Sequence, residues 1–366
     1  MSGDQASADT VVARFTITRR RYLDETGKAL VTLPAFAADR ALMRRIYEGM
    51  RFIRLYDQKR VNLQRTGRMG TSATALGQEA IPIGVASAMR EEDVLVPSYR
   101  EDGAQIWRGV KPEEMLIYWG GNEAGQHPAD PRVAQDFPVS ITIGNHALHA
   151  AGVATAMKLR DQKRAAVCLF GDGATSKGDV YEAINVAGVW KLPLVFVVSN
   201  NGYAISTPLE NQTAAETLAQ KGLAGGLAVA QADGNDIFAV RQLMLEALER
   251  GRSGGGATLI ECLTYRLNDH NTADDSTRYR DPEEVKKRWA FDPLKRLEAW
   301  MTAQGFWSAA DEAAMEARVA TELERAVEAY LAFPAPKAEE MFAHTYAKLP
   351  RQYEDQRALA VRLDHG

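Results

Sequence analysis

The run from Ala165 to Thr207, AAVCLFGDGATSKGDVYEAINVAGVWKLPLVFVVSNNGYAIST, restricts the possible folds of this chain more than any other stretch. AAVCLF is a short apolar run closed by Gly171-Asp172-Gly173. The segment Asp179 to Trp190 has a helical period, and LPLVFVVS is a second apolar run that ends at Asn200-Asn201-Gly202. Runs of this length bounded by turn residues predict strand, helix, strand. Such a unit joins parallel strands through a right-handed crossover, so the carboxyl ends of both strands open on the same edge of the sheet. Asp172 and Asn201 are therefore expected to converge. A carboxylate and an amide oxygen are hard ligands suited to Mg²⁺, which takes a few protein oxygens beside phosphate and water. The flanking glycines let backbone amides approach a phosphate, and the following helix start adds its dipole. The expected guest is a metal-bound diphosphate.

A chain of 366 residues with 46% hydrophobic residues has material for two domains, or for one large α/β domain with helical additions. A net charge of −4 with no aromatic-plus-basic stretch argues against a nucleic-acid partner. The start, MSGDQASADT, resembles neither a secretory signal nor a transit peptide, and no apolar run reaches spanning length. The default expectation is a cytoplasmic protein with no membrane partner. Cys168 and Cys262 each lie inside an apolar strand-like run without a neighbouring histidine, which favours inert buried thiols over a disulfide, a zinc site or a nucleophile.

In chain order, residues Met1 to about Val12 are small and polar and are expected to be disordered, with RFTIT as a strand pinning the arm. Asp39 caps a predicted amphipathic helix to about Arg65, with Leu42, Ile46, Met50, Ile53 and Tyr56 on its apolar face and Gly67 past its end. GQEAIPIGVASAMR is a helix with Pro82 in or near its first turn. The strand VLVP follows, and then the polar cluster Ser98 to Gly103. Such a place after a strand is where α/β proteins hold ligands, so Tyr99 and Arg100 are candidate anion contacts. SITI is predicted as a strand before a turn at Gly144-Asn145 and a helix to Arg160. His146 and His149, three apart, are expected to be packed or interface residues because nothing completes a metal set. ENQTAAETLAQKG is a predicted short helix, GLAVAQAD a strand, Asp236 to Arg250 a helix and TLIECLTYR a strand. The polar segment Arg266 to Pro282 has the character of an active-site cover, and His270 is expected to stand unburied on it. From Glu283 onward the period is helical. The fold class is therefore α/β: a mostly parallel sheet with helices on both faces and a helical carboxy-terminal extension. The expected divisions are an arm at 1–37, a ligand-binding α/β unit at 38–282 and a helical region at 283–366.

GDG followed after about thirty residues by NN resembles the diphosphate-binding signature of thiamin-diphosphate enzymes. QRTGRMG, GQEA, PSYRE, NNGYAIST, DGNDIFAV, YRLNDHNTADDSTRYR and KKRWAFDPLKRLEAW extend the likeness to the alpha subunit of the two-chain 2-oxo acid dehydrogenases, over nearly the whole chain from about Thr16 to about Ala360. The resemblance implies the thiamin-diphosphate-binding fold of the diphosphate-binding type. It implies that Asp172, Asn201 and the backbone carbonyl of Tyr203 hold Mg²⁺, and that Tyr99, Arg100 and Arg266 contact the diphosphate, with Gly173 and Ala174 forming the turn around it. It also implies that the backbone of Ile143 meets the aminopyrimidine ring, and that His270 contacts the cofactor and aids acyl transfer to a lipoyl group. Where animal members carry a phosphorylated serine after the loop histidine this chain has Asn271, which excludes regulation at that position. Ser72, Ala73 and Thr74 stand where some relatives place a histidine before GQEA.

Only the diphosphate-holding half of a thiamin site is visible, so the activating glutamate is expected from a separate beta subunit, most simply in an α₂β₂ assembly. The implied activity is oxidative decarboxylation of a 2-oxo acid with reductive acylation of a lipoyl domain. REDGAQIWRG looks closer to pyruvate-type subunits, whereas NNGYAIST is shared with branched-chain enzymes. Pyruvate is the leading substrate, with branched-chain 2-oxo acids and acetoin as alternatives. A nicotinamide dehydrogenase fails on Ser176 in the third glycine's place of GDGATS and on the missing acid after the next strand. A non-catalytic scaffold of the same fold is opposed by the presence together of Asp172, Asn201, Arg100 and His270.

Overall fold

The computed structural model describes residues 10–364, so the disorder expected from Met1 to about Val12 lies, up to position 9, outside the described residues. The central sheet is built from β1 (Arg19–Arg20), β2 (Val94–Val96), β3 (Ala166–Gly171), β4 (Leu194–Asn200), β7 (Ala228–Asp233) and β8 (Thr258–Leu263). A separate ribbon, β5 (Tyr203–Ala204) with β6 (Thr207–Pro208), stands outside it. The strand order is β1-β7-β8-β4-β3-β2, and every pairing is parallel. The strands at the centre of the sheet, β3, β4 and β8, are almost wholly buried because helices cover both faces, which is why their sequences are near-continuous apolar runs.

The helices in chain order are α1 (Arg40–Arg65), α2 (Ala80–Ala88), α3 (Asp102–Arg108), α4 (Pro112–Trp119), α5 (His146–Leu159), α6 (Gly178–Val189), α7 (Ala219–Ala224), α8 (Ile237–Arg252), α9 (Pro282–Arg288), α10 (Pro293–Ala303), α11 (Ala309–Ala332), α12 (Glu340–Ala343) and α13 (Glu354–Asp364). Side chains alternate along each strand, so one sheet face (Cys168, Phe170, Phe196, Val198) packs on α5 and α6. The other (Val167, Leu169, Val195, Val197, Ile260) packs on α2 and α8. A third core joins α1 to α10 and α11 through Tyr47, Met50, Trp300, Met301, Trp307 and Leu323. Cys168 and Cys262 are buried free thiols whose burial pushes them well above the usual thiol range, consistent with inertness. Among the described residues no helix is long and apolar enough to cross a membrane.

Three elements differ from the sequence expectation. RFTIT forms no strand; two residues, Arg19 and Arg20, pair with β7 instead. SITI also stays outside the sheet: the Ser140 amide donates to the Pro97 carbonyl just past edge strand β2, while Ile141 and Ile143 are exposed at a rim. Of ENQTAAETLAQKG only the end is α-helical, as the start of α7, while Leu209–Asn211 makes a single tight turn. The Asp39 cap is as expected, its side chain accepting from the Leu42 amide at 3.0 Å, and Gly67 lies at φ 70° past the helix end.

Candidate active site

The registers bring the carboxyl ends of four strands to one edge: Gly171 lies opposite Ser199, and Asn200 opposite Leu263. The chain leaves the sheet there into Ser98–Arg100, Asp172–Ser176, Asn201–Gly202 and Thr264–His270, and these segments line a cleft of about 470 Å³. That volume is in the range of small-molecule and cofactor sites. Tyr99, Arg100, Ile143, Asp172, Gly173, Ala174, Asn201, Tyr203, Arg266 and His270 all line it. The structure thus brings together every site residue expected from the sequence.

Asp172 is 1% exposed and has no cationic partner among the described residues. Burial pushes its carboxyl above the usual range. Hydrogen bonds from Gln212 Nε2 at 2.7 Å to Oδ2 and from the Asn201 amide at 3.4 Å to Oδ1 offset this only partly. Asn201 is buried, with Oδ1 accepting from the Tyr203 amide at 3.2 Å and Nδ2 donating to Gln78 Oε1 at 3.2 Å. Opposite stand two arginines without a carboxylate partner among the described residues. Arg100 donates to the Thr74 carbonyl at 2.5 Å and the His270 carbonyl at 3.0 Å. Arg266, 1% exposed, donates to the carbonyls of Tyr203 (3.3 Å) and Ile205 (2.7 Å) and to Tyr279 Oη (3.0 Å). Burial, and next the Arg100 charge, lower the Arg266 pKa.

These observations fit a metal-bound diphosphate. A buried carboxylate lacks a cation, two facing guanidiniums lack an anion, and the oxygens beside Asp172 are an amide and a carbonyl. Among the described residues no group of three His, Cys, Asp or Glu side chains could hold a metal, so a cation here would rest on such mixed oxygens. The orphaned buried atoms Gln78 Nε2, Gln212 Oε1 and Arg266 Nε belong to the same shell. Gly173 is required by close approach: a Cβ there would stand 2.7 Å from Ala204 Cβ. Ile205, a β-branched residue at φ 56°, is strained, and the Arg266 hydrogen bond holds its carbonyl in place.

His270 is loop-mounted as expected, but it is half-buried. Its ring lies edge-on to Tyr99 at 6.0 Å, and its Nδ1 faces Arg100 Nη2 at 3.4 Å and Arg266 Nη1 at 3.5 Å. Guanidinium nitrogens only donate, so Nδ1 carries the lone pair and Nε2 the proton. Burial, then Arg100 and Arg266, lower its pKa to about 4. The unfolded chain takes up this proton near the ordinary value of 6.5, so stability falls as pH drops through 6.5 toward 4. A His270→Asn variant of the cofactor-free protein is expected to lose less thermal stability over that range, as melting curves at each pH would show.

His146 and His149, neighbours on α5, differ in burial. His146 is buried, its Nε2 at 2.9 Å from the Leu169 carbonyl, while His149 is exposed beside Phe137. Sequence reasoning missed Gln78 and Gln212 as individual residues. GQEA marked the first only through resemblance, and the second lies in a polar stretch without period.

The dehydrogenase E1 component family matches residues 47–339. The chain is 42% identical to the 3-methyl-2-oxobutanoate dehydrogenase subunit alpha of Mycobacterium tuberculosis, over 88% of this chain and 88% of that protein. It is 39% identical to the pyruvate dehydrogenase E1 component subunit alpha of Bacillus subtilis, over 92% and 90%. It is 40% identical to that of Acholeplasma laidlawii, over 82% and 87%. With the parallel sheet and the cleft at its carboxyl edge, these matches lead to one conclusion: the chain belongs to the dehydrogenase E1 component family, as an alpha subunit of a thiamin-diphosphate-dependent 2-oxo acid dehydrogenase.

Proposed function

We propose that this chain holds the diphosphate of thiamin diphosphate through Mg²⁺ bound by Asp172, Asn201 and the backbone carbonyl of Tyr203, and that with a beta subunit it decarboxylates pyruvate and passes the acetyl group to a lipoyl domain. The observation that carries this reading is the facing pair of unmet charges, buried Asp172 without a cation and Arg100 with Arg266 without an anion. When bound, thiamin diphosphate supplies the electron sink for loss of CO₂ from a 2-oxo acid. Tyr99, Arg100 and Arg266 grip the diphosphate from the loops after β2 and β8, and the Gly173–Ala174 turn supplies backbone contacts. The Ile143 backbone at the rim meets the aminopyrimidine. His270, neutral and carrying its proton on Nε2, offers that proton during acyl transfer. The units 38–282 and 283–366 divide the work, the first holding the cofactor and the second extending the helical layer. The activating glutamate comes from the beta subunit, in an α₂β₂ assembly.

The direct test is calorimetric titration of the alpha–beta complex with thiamin diphosphate, with and without Mg²⁺. Binding that needs no Mg²⁺ would remove the metal assignment. His270→Ala is expected to slow reductive acylation of a lipoyl domain more than it weakens cofactor binding. Unchanged acetyl transfer to the lipoyl acceptor would take His270 off the catalytic list. Pyruvate is supported by REDGAQIWRG and by the Bacillus and Acholeplasma relatives. The Mycobacterium relative favours a branched-chain 2-oxo acid as the second reading. Specificity constants on pyruvate and 2-oxoisovalerate would decide between them.

A further inference from the structure

Behind the two turns that carry Asp172 and Asn201 lie two buried charges that, among the described residues, face neither the cleft nor an ion-pair partner. Lys221, on α7, is 7% exposed. Its Nζ donates to the carbonyl and to the hydroxyl of Thr175, both at 2.9 Å, and lies 5.4 Å from the centre of the Tyr181 ring. The Thr175 hydroxyl in turn donates to the Asp172 carbonyl at 2.7 Å. Lys221 therefore grips, from behind, the single turn Asp172–Ser176 that begins with the proposed metal carboxylate.

Glu261, on β8, is 1% exposed. Its carboxylate accepts from Asn200 Nδ2 at 2.8 Å, from the Ala219 amide at 3.1 Å and from Gln231 Nε2 at 3.0 Å. Asn200 Oδ1 accepts from the Gly202 amide at 3.3 Å, and its carbonyl from the Thr264 amide at 2.9 Å. Glu261 thus holds the turn that presents Asn201. It also holds Ala219, the first residue of α7, and so ties the two supports together through one short helix.

A buried ammonium and a buried carboxylate, each without a counter-ion among the described residues, carry a desolvation cost that their hydrogen bonds to these turns offset only in part. Stability alone does not account for two such groups placed behind the two turns that carry the metal oxygens, whereas ligand geometry does. Mg²⁺ demands near-ideal octahedral oxygens, so a small change in the separation of Asp172 from Asn201 weakens binding. We propose that Lys221 and Glu261 are positioning residues that set the separation of the Asp172 and Asn201 oxygens and thereby the affinity of the site for Mg²⁺ and diphosphate. This rests on the assignment of those two residues as metal ligands.

The test uses the alpha–beta complex carrying Lys221→Met, Lys221→Arg, Glu261→Gln or Asp172→Asn. Mg²⁺ is titrated calorimetrically at saturating thiamin diphosphate, and turnover and thermal midpoint are measured alongside. Gln at 261 has one acceptor oxygen for three donors and turns its own amide toward them. Half-saturating Mg²⁺ is expected to rise roughly 10- to 100-fold in Lys221→Met and Glu261→Gln. Lys221→Arg should recover part of the loss, and turnover at saturating Mg²⁺ should be largely retained. If Lys221→Met does not fold, Glu261→Gln and Lys221→Arg carry the test. Folded variants that melt earlier yet bind Mg²⁺ as the parent does would overturn the proposal and leave a structural role. If Asp172→Asn also binds Mg²⁺ normally, the metal assignment itself fails; if Asp172→Asn alone loses binding, only the positioning role fails.

Discussion

Asp172→Ala is expected to abolish Mg²⁺-dependent binding of thiamin diphosphate, a loss in affinity of at least about 100-fold, beyond what changes in the residues around a ligand usually cost. The same change should stabilise the cofactor-free protein. Asp172 is buried, has no cationic partner among the described residues, and is pushed toward its neutral form by burial, so its charge is a standing cost in the cofactor-free protein. Its removal is expected to gain on the order of 1 kcal/mol, the usual size of a stabilising change made at the expense of function. Calorimetry and thermal melts on one preparation would check both halves. A variant that kept Mg²⁺-dependent binding would remove Asp172 from the site, and one that lost binding along with stability would point to a merely structural role.

The second large effect concerns α1. Arg60 is 1% exposed and reaches Asp57 Oδ1 at 2.5 Å, Asp102 Oδ2 at 2.5 Å and the Ala73 carbonyl at 2.7 Å. Burial works against its charge, but Asp102 and Asp57 outweigh that and raise its pKa. Arg60→Ala would strand two buried carboxylates beside each other, a loss of about 3–5 kcal/mol. Urea unfolding of the alpha subunit would measure it. Cofactor affinity should fall with it in whatever remains folded, because Arg60 holds Ala73, Asp57 Oδ2 accepts from the Ala75 amide at 2.6 Å, and Arg100 donates to Thr74 between them. That segment forms one wall of the cleft, and Ser72 ties it to the cover loop through the Thr272 amide at 2.9 Å. A cost near zero would mean that the two acids are hydrated or protonated in place.

The α1 network also marks how far the sequence could be read. Ile46, Met50, Ile53 and Tyr56 are buried as their spacing required, yet Arg54, Asp57 and Arg60 are buried too, and helical periodicity places charged residues in solvent by default. Their burial depends on partners distant in the chain: Asp292, which grips Arg54 Nη1 at 2.8 Å, and Asp102, which grips Arg60. No local pattern carries that information. SITI failed for a similar reason. Four residues of strand character do not become a strand without a ladder of partners: Ser140 reaches the end of edge strand β2 at the Pro97 carbonyl, and the chain then turns away with Ile141 and Ile143 exposed at the rim.

The sequence by itself determined the parallel sheet, the crossover from β3 to β4, and the meeting of Asp172 with Asn201 at its carboxyl edge. Strand runs, turn glycines and crossover handedness are local or topological constraints that residue type expresses directly. Only the tertiary structure decided that, among the described residues, the carboxylate would be left without a cation and the two arginines without an anion, that His270 would be pressed against those arginines and kept neutral, and that Lys221 and Glu261 would stand behind the turns that carry Asp172 and Asn201. Charge balance and burial depend on which distant segments share a volume, and a one-dimensional pattern contains neither the distance nor the dielectric that sets them.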